Sequence, residues 1–291
     1  MLERLCVIGV GLIGGSVALA ARRAGLVRRI AGVDSNPEAL CLARSLGVID
    51  EAETRVEEGV RGADSVVIAA PVGAMRQVLA ALAPVWSRQA FYTDVGSTKA
   101  SVIVAAEAVF GEVPDNFIPA HPIAGRELSG VQAASPDLFN GKRVILTPAA
   151  NADPEALKRV RLFWQELGAK VDSMSAVHHD HVLAATSHLP HAVAYALVHL
   201  LGRQDEKDEI FRYAAGGFGD FTRIAGSDPK MWADICLANA EEIVSWMLRF
   251  EQELRDLREK IEDREGRALR EYFGAAKTFR QRFLEQYRDK S

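Results

Sequence analysis

Three glycines near the start of the chain have the spacing that lets a backbone approach a phosphate closely. Gly9, Gly11 and Gly14 form a GxGxxG motif directly after a predicted strand and at the start of a predicted helix. In this setting Gly9 permits a tight turn, Gly11 leaves room for a pyrophosphate, and Gly14 lets the helix pack on the strand. The pyrophosphate would bind backbone N–H groups at the helix N-terminus, where Leu12 and Ile13 lie. The motif favours a bound dinucleotide; the alternative is that three of the 23 glycines have this spacing by chance.

An acidic residue ends the next predicted strand. Asp34 follows Gly14 by twenty residues, where a carboxylate can accept hydrogen bonds from the adenosine ribose hydroxyls. The same charge repels a 2′-phosphate, and the next residues, Ser35 and Asn36, offer no arginine to bind one. The pattern therefore predicts NAD rather than NADP as the cofactor.

Further reactive groups follow the later predicted strands, whose carboxyl ends form the ligand-binding edge of such a sheet. Ala70 and Pro71 close one strand and are expected to line the nicotinamide end of the site. Residues 94–99 follow another strand, and His121 follows a third. Pro122 restricts the backbone of His121 to extended conformations, which would hold the imidazole where a hydride acceptor binds. Neutral histidine suits the oxidation of a carbinol, because a base must accept the hydroxyl proton as hydride leaves; a structural histidine is the alternative.

These residues are positioned by an alternating series of strands and helices. Short apolar runs between residues 4 and 174 alternate with helical patterns, which is typical of a parallel sheet covered by helices. Helices are predicted at 37–46 and 154–167, each with a proline at its first position and a glycine after its end. The predicted strands are 5–8, 30–33, 65–69, 90–93, 116–119, 144–146 and 169–171.

From about residue 176 the strand pattern disappears. A buried helix is predicted around 180–201, and the remainder is helical. The sequence therefore predicts an α/β Rossmann-type dinucleotide-binding domain over residues 1–174, followed by an all-α substrate and dimerisation domain over residues 175–291. Residues 249–290 are expected to form an amphipathic helix or helix pair. Its apolar face either packs on its own domain or forms a dimer interface.

The amino-acid composition excludes several classes of protein. The 291 residues include 35 Lys and Arg against 39 Asp and Glu, for a net charge of -4, and 48% are hydrophobic. This globular composition offers no broad cationic surface for nucleic acid. The three cysteines lack metal-binding spacing and suit a reducing compartment. No signal peptide opens the chain and no apolar run reaches membrane-spanning length, so a cytoplasmic protein without a membrane partner is expected.

Five sequence motifs, taken together, resemble those of a known protein family, although no single motif is specific to it. They are VIGVGLIGGS at 7–16, DVGSTK at 94–99, HPIAGRELSG at 121–130, SHLPH at 187–191 and GFGDFTRIAGSDPKMW at 217–232. With these motifs, nearly the whole chain resembles the prephenate/arogenate dehydrogenase family of tyrosine biosynthesis. The resemblance implies a metal-free, NAD-dependent oxidative decarboxylation of a cyclohexadienol. Hydride leaves the ring carbon that bears the 4-hydroxyl, and the ring carboxylate departs as CO2.

The resemblance also implies roles for individual residues. His121 resembles the catalytic hydrogen-bond acceptor for the 4-hydroxyl, and Ser97 resembles the neighbour that hydrogen-bonds His121 and contacts the nicotinamide region. Arg223 is similar to the family's carboxylate-binding arginine, whose planar guanidinium can form two hydrogen bonds with a carboxylate. His191 would lie in the substrate pocket, whereas His188 is expected to be structural.

Weaker assignments complete the expected site. Glu127 and Asp220 resemble acidic residues that gate its mouth, and Trp232 resembles an aromatic residue at its edge, contributed by the same subunit or across a dimer. Surface or core roles are equally open for these three residues. Residues 178–181, His-His-Asp-His, suggest a metal site by composition. Because contiguous side chains spread around a helix axis, no metal is predicted.

The expected activity is the conversion of prephenate to 4-hydroxyphenylpyruvate by a homodimer. Arogenate or dual specificity stays open, since the two substrates differ only in a pyruvyl or an amino-acid side chain. A dinucleotide-binding regulator that has lost its chemistry is a more distant alternative, in which Ser97, His121 and Arg223 would have no purpose. No regulatory domain is expected after the helical part, so any feedback by tyrosine is expected to act at the active site.

Overall fold

The computed structural model describes residues 1–125 and 128–288. The chain divides into two compact units, Met1–Ala240 and a smaller one that begins at Glu241. The predicted domain boundary at residue 174 lies inside the first unit and stays a prediction.

Five parallel strands form the first sheet of the larger unit. The strands are β1 (Leu2–Ile8), β2 (Val27–Val33), β3 (Glu51–Glu53), β4 (Ser65–Ile68) and β5 (Phe91–Asp94). Their order is β3-β2-β1-β4-β5, so the chain starts at the centre, builds one side and then crosses to the other. Four of these strands confirm predictions. β3 was not predicted, because its sequence, Glu-Ala-Glu, contains no apolar run.

Helices cover both faces of this sheet. They are α1 (Leu12–Arg23), α2 (Pro37–Ser45), α3 (Val56–Gly59), α4 (Met75–Leu82), α5 (Ala100–Phe110) and α6 (Pro154–Glu166). Successive residues of β1 enter different cores, because side chains alternate across a strand. Leu5 and Val7 pack in one core with α1 and α6, while Cys6 and Ile8 pack in the other with α4 and α5. The predicted helices α2 and α6 are confirmed.

A second, smaller sheet corrects the prediction of a single parallel series. It consists of β6 (Ala120–Pro122), β7 (Arg143–Leu146) and β8 (Lys170–Ser173), with β6 antiparallel to β7. The predicted strand at 116–119 is wrong: only Phe117 forms an isolated bridge, to Tyr92. Asn116 instead donates side-chain hydrogen bonds to the backbone of residues 87 and 90, and Pro119 has no N–H to give to a ladder. His121 therefore lies within a strand rather than after one.

The rest of the larger unit is helical, as expected after residue 176. It contains α7 (Ala176–Leu183), α8 (Leu189–Gly202), α9 (Lys207–Arg212), α10 (Gly216–Thr222) and α11 (Pro229–Ala238). The single helix predicted around 180–201 is interrupted by a π-helical turn at Ala184–His188. Pro190 explains the interruption, because it lacks an N–H and its ring would meet the carbonyl of Thr186 in a regular helix.

The smaller unit is a helix pair, one of the two forms predicted for this stretch. It contains most of α12 (Ala240–Glu262) and α13 (Gly266–Arg288), which are joined by the hydrogen bond from Tyr272 Oη to Glu253 Oε2. Large apolar side chains on both helices are exposed, among them Leu248, Phe273 and Phe279. No helix in the described ranges has the length and apolarity needed to cross a membrane.

Candidate active site

The glycine loop connects β1 to α1 with very little free space. Gly9 has a φ of +94°, and a Cβ added there would lie 2.5 Å from the carbonyl oxygen of Ala69. A Cβ on Gly14 would lie 1.9 Å from the carbonyl oxygen of Gly9 and 2.9 Å from Val7. A Cβ on Gly11, in contrast, would meet no atom within 4 Å. The turn and the close packing thus depend on the outer glycines, while Gly11 faces open space.

A cavity of about 430 Å³ lies in front of this loop. Its volume is in the usual range for a small-molecule or cofactor site. On the opposite side it is lined by α11 and the residues just before that helix. The predicted cofactor residues that line it are Gly11, Leu12, Ile13, Gly14, Ala70, Pro71 and Ser97.

Asp34 lies directly beside the glycine loop, immediately after β2. One carboxylate oxygen accepts a hydrogen bond from the backbone N–H of Val10 at 3.1 Å, and the other from that of Asn36 at 2.9 Å. The predicted acidic residue therefore reaches the loop that would bind the dinucleotide.

A buried ion pair fixes the segment that follows β5. Lys99 Nζ lies 2.5 Å from Asp94 Oδ2, and both side chains are fully buried. Lys99 Nζ also donates to the carbonyl of Ala120 at 2.7 Å, while Asp94 Oδ1 accepts from the N–H of Ala120 at 3.1 Å. Since residues 95–97 between them line the cavity, this pair ties the start of β6 to the cavity wall.

His121 follows Ala120 and is half-buried. Its Nδ1 lies 2.9 Å from Nε2 of His179. Among the described residues the structure shows His179, and not Ser97, as the hydrogen-bond partner of His121 Nδ1. The side-chain partner that the structure shows for His121 in the described part of the chain is thus at Nδ1, and Nε2 is the nitrogen left for a ligand.

Two residues that sequence reasoning did not assign support this imidazole. His179 and Asp180 are buried on α7, and His179 Nδ1 lies 2.7 Å from Asp180 Oδ1. Asp180 also accepts hydrogen bonds from the backbone N–H groups of Lys99 and Ala100, at 2.8 Å each. The signal in the sequence is the His-His-Asp-His run, whose composition suggests a metal site rather than a support for His121. In the described ranges no group of three His, Cys, Asp or Glu side chains could hold a metal ion.

The environment of His121 disfavours its charged form. Its pKa is lowered well below 6.5, first by burial and then by the neighbouring His179, Lys99 and His188. The imidazole is therefore neutral near pH 7 and able to accept a proton.

A second aromatic and histidine cluster surrounds the π-helical turn. His191 stacks on Trp232 with ring centroids 3.7 Å apart, and its Nδ1 donates to the carbonyl of Ser187 at 2.8 Å. His188 is 1% exposed, and its Nδ1 lies 3.2 Å from Asn239 Nδ2. Trp232 thus packs against a histidine of its own chain, and its expected role at the edge of the site, within one subunit or across a dimer, stays a prediction.

The remaining predicted residues lie in or near α10. Asp220 is exposed on α10, and Arg223 is exposed at the start of the following 3-10 turn. Arg223 precedes Ser227, which lines the cavity, by four residues. Glu127 lies outside the described residues.

Comparison with known proteins matches both parts of the chain. The family model described as "Prephenate dehydrogenase, nucleotide-binding domain" covers residues 17–173, and "Prephenate dehydrogenase, dimerization domain" covers residues 175–275. The chain belongs to the prephenate dehydrogenase family. It is therefore an oxidoreductase of tyrosine biosynthesis.

Individual relatives in this family match over most of the chain. A cyclohexadienyl dehydrogenase of Zymomonas mobilis is 38% identical over 93% of this chain and 92% of its own length. A prephenate dehydrogenase of Bacillus subtilis is 37% identical over 96% of this chain and 76% of its own length. The crystal structure of prephenate dehydrogenase from A. aeolicus with hydroxyphenyl propionate and NAD+ has a TM-score of 0.90 and 40% identity, covering 97% of this chain and 99% of that one.

Proposed function

We propose that this chain catalyses the NAD-dependent oxidative decarboxylation of prephenate to 4-hydroxyphenylpyruvate. The observation that carries the proposal is the His121 imidazole, which is neutral and held through Nδ1. Through Ala120 and Lys99 it is tied to the segment that lines the nucleotide cavity. A general base in this position suits the oxidation of a carbinol by a bound nicotinamide.

The described residues fit a dinucleotide. No side chain caps the N-terminus of α1, so its first N–H groups are left for a pyrophosphate, and the open space at Gly11 gives that group room. Asp34 would accept hydrogen bonds from the ribose and repel a 2′-phosphate, which supports NAD over NADP. NAD+ is also bound in the related A. aeolicus structure. When bound, the nicotinamide ring supplies the hydride acceptor.

His121 would handle the proton of the substrate hydroxyl. As the C–H electron pair leaves as hydride, Nε2 accepts the hydroxyl proton. When the ring carboxylate leaves as CO2, its bonding electrons complete the aromatic ring and the proton returns to the phenolic oxygen. The reaction releases no net proton, so the imidazole carries a positive charge only transiently.

The substrate is a dianion, and the proposed cation for one of its carboxylates is Arg223. A guanidinium suits this role because it can bind a carboxylate through two parallel hydrogen bonds. The stacked pair His191 and Trp232 is proposed as a wall of the substrate pocket. Ser97 is proposed to contact the nicotinamide, since it lines the cavity.

Two acidic residues are proposed at the mouth of the site. Asp220 is exposed three residues before Arg223, and Glu127 lies on the segment that leads from His121 to the cavity-lining residues 128–130. Both would repel anions other than one that Arg223 can bind.

A second candidate substrate is arogenate, alone or together with prephenate. The 38% identity to a cyclohexadienyl dehydrogenase over nearly the full length of both chains favours this candidate specifically. Arogenate carries an amino-acid side chain in place of the pyruvyl group, so the reacting ring and the role of His121 are unchanged.

One kinetic experiment tests these assignments. NADH formation is measured with NAD+ and either prephenate or arogenate, and the ratio of kcat/KM values identifies the preferred substrate. His121→Asn is expected to lower kcat by about 100- to 10,000-fold, since it removes the proton acceptor. Arg223→Ala is expected to raise KM by about 10- to 100-fold through loss of a charged hydrogen bond, while Arg212→Ala, at an exposed arginine on α9, serves as the matched control.

The outcomes that contradict the proposal are specific. If the protein binds NAD+ but forms no NADH with either substrate, a non-catalytic regulator is favoured. If His121→Asn mainly raises KM and Arg223→Ala mainly lowers kcat, the two roles have been exchanged.

We further propose that the protein acts as a homodimer. Residues 175–275 match a dimerization domain, and the helix pair exposes large apolar side chains, including Leu248 at 60% and Phe279 at 65%. A second copy would cover these side chains. The cytoplasmic location and the absence of nucleic-acid and membrane partners stay predictions.

A further inference from the structure

His179 and Asp180 have no role in the function proposed above, although both are buried next to His121. A chain of hydrogen bonds runs from Asp180 Oδ1 to His179 Nδ1 (2.7 Å) and from His179 Nε2 to His121 Nδ1 (2.9 Å). Its far end is fixed, because Asp180 also accepts the N–H groups of Lys99 and Ala100 at the start of α5. We refer to Asp180, His179 and His121 as the relay.

If each imidazole carries one proton, only one assignment of donors and acceptors satisfies both hydrogen bonds of the relay. Asp180 accepts two backbone N–H groups at a helix N-terminus, so its oxygen is also the acceptor for His179 and Nδ1 of His179 is the donor. With its one proton on Nδ1, His179 has a bare Nε2, which accepts from Nδ1 of His121. Nε2 of His121 is consequently left without a proton, as the acceptor of a substrate proton must be.

We propose that His179 and Asp180 are positioning residues, which hold His121 in the tautomer with a bare Nε2 and share the positive charge that it acquires during the reaction. The catalytic part of this proposal rests on the proposed function of His121 as acceptor of the substrate hydroxyl proton. The tautomer itself is a property of the free protein.

Burial, His179, Lys99 and His188 all disfavour a positive charge on His121, and the Asp180 carboxylate at the end of the relay favours one. As Nε2 takes the hydroxyl proton, the Nδ1 proton can shift towards His179, whose other nitrogen faces the Asp180 carboxylate; both protons move back when the substrate oxygen is reprotonated. Lys99, from the segment before α5, and His188, from the π-helical turn, act in the opposite direction on His121. The Asp180 carboxylate is therefore needed to make a transient imidazolium accessible.

The first test measures the tautomer without cofactor or substrate. Protein labelled with 15N in histidine is studied by NMR, and the signals of His121 are identified from their loss in His121→Gln. In the wild type, the chemical shifts are expected to show a protonated Nδ1 and a bare Nε2. In His179→Leu, Nδ1 of His121 loses its acceptor, so the proton is no longer held there and a mixture of the two His121 tautomers is expected.

The second test is kinetic. Asp180→Asn removes the carboxylate that shares the transient positive charge, so it is expected to lower kcat by at least about 100-fold with KM changed by less than about threefold. His179→Leu removes the acceptor for Nδ1 of His121, and its kcat is expected to fall by a similar factor. His179→Gln can accept from His121 and donate to Asp180 but cannot bind a proton, so a smaller loss of about tenfold is expected.

A matched control variant and a second pair of variants complete the kinetic test. His178→Gln makes the same change one residue earlier, at an exposed position, and should leave kcat within about twofold of the wild type. A protonated Nε2 in wild-type His121, or equal kcat values for His179→Gln and His179→Leu, would overturn the proposal. If Asp180→Asn fails to fold because α5 loses its acceptor, the two His179 variants still decide. If the wild type shows no dehydrogenase activity, the proposed function fails while the NMR result still tests the tautomer.

Discussion

Gly11→Ala separates folding from cofactor binding in the glycine loop. Gly11 has a φ of -81° and a ψ of -155°, a conformation that alanine also adopts, and a Cβ there meets no atom within 4 Å. Alanine is a poorer N-cap than glycine by up to about 1 kcal/mol, but it reduces the entropy of the unfolded chain by about 0.4–1 kcal/mol. The free energy of unfolding without ligand is therefore expected to change by less than about 1 kcal/mol.

The effect on NAD binding is expected to be much larger. The added methyl group enters the space proposed for the pyrophosphate, and overpacking of this kind costs about 1–3 kcal/mol, with an upper limit near a 100-fold rise in Kd. At an NAD concentration of about 100 times the wild-type Kd, binding stabilises the wild type by about 2.7 kcal/mol. A 100-fold weaker variant would gain only about 0.4 kcal/mol at the same concentration.

Gly14→Ala is the matched control, since it makes the same change three residues later. Its Cβ would lie 1.9 Å from the carbonyl oxygen of Gly9, a backbone atom that cannot rotate away. The loop itself must move, so stability without ligand is expected to fall by about 3 kcal/mol or more. The two variants should therefore show opposite patterns: Gly11→Ala loses ligand response, and Gly14→Ala loses basal stability.

Thermal unfolding with and without NAD, together with calorimetric titration, distinguishes these outcomes. In a unit of this size about 2.7 kcal/mol corresponds to a rise in Tm of roughly 5–11 °C for the wild type, and Gly11→Ala should lose most of that rise. If Gly11→Ala keeps the full rise, the pyrophosphate does not pass over Gly11. If its basal Tm falls as far as that of Gly14→Ala, the open space at Gly11 has been misread.

Two further predictions concern buried charge. Lys99→Met leaves the Asp94 carboxylate buried without its partner and should lower the free energy of urea unfolding by about 3–5 kcal/mol. Lys158→Met, at an exposed ion pair, should change this free energy by less than about 0.5 kcal/mol. Equal effects of the two variants would mean that the buried pair is solvated. Burial lowers the pKa of His188 to about 4, so the unfolded chain binds a proton between pH 6.5 and 4 that the folded chain does not. Stability should therefore fall by about 3 kcal/mol as pH drops through this window, and His188→Gln should lose that part of the slope; an unchanged slope would contradict the assignment.

The glycine loop and Asp34 could be predicted because their function depends on local backbone geometry. A strand, a tight turn and a helix start are encoded within a few residues, and the next acidic residue follows at the end of the adjacent strand. The prediction of a strand at 116–119 was wrong because local sequence does not show the contacts that this segment makes. Its apolar residues are buried, but the side chain of Asn116 and the missing N–H of Pro119 commit the segment to contacts that only the tertiary structure reveals.

The supports of His121 could not be predicted from spacing. His179 and Asp180 are adjacent in sequence, and the side chains of adjacent residues on a helix usually point in different directions. Both are buried here because α7 packs against the start of α5, where two N–H groups need an acceptor and the imidazole of His121 needs a partner. Ser97 was expected in the latter role, and nothing in the sequence indicates that a helix more than fifty residues further along supplies the histidine instead.

The segment between β5 and α5 joins all of these features. Its residues 95–97 line the cofactor cavity, the side chain of Lys99 holds the backbone of Ala120, and the backbone of Lys99 holds Asp180. One short segment therefore sets the cavity wall, the position of His121 and the far end of the relay. Because the Lys99–Asp94 pair is fully buried, moving this segment would expose or separate two charges, which costs several kcal/mol. The position of His121 relative to the cavity wall is thus fixed by the fold, which is the preorganisation that the proposed transfer of a hydride and a proton would require.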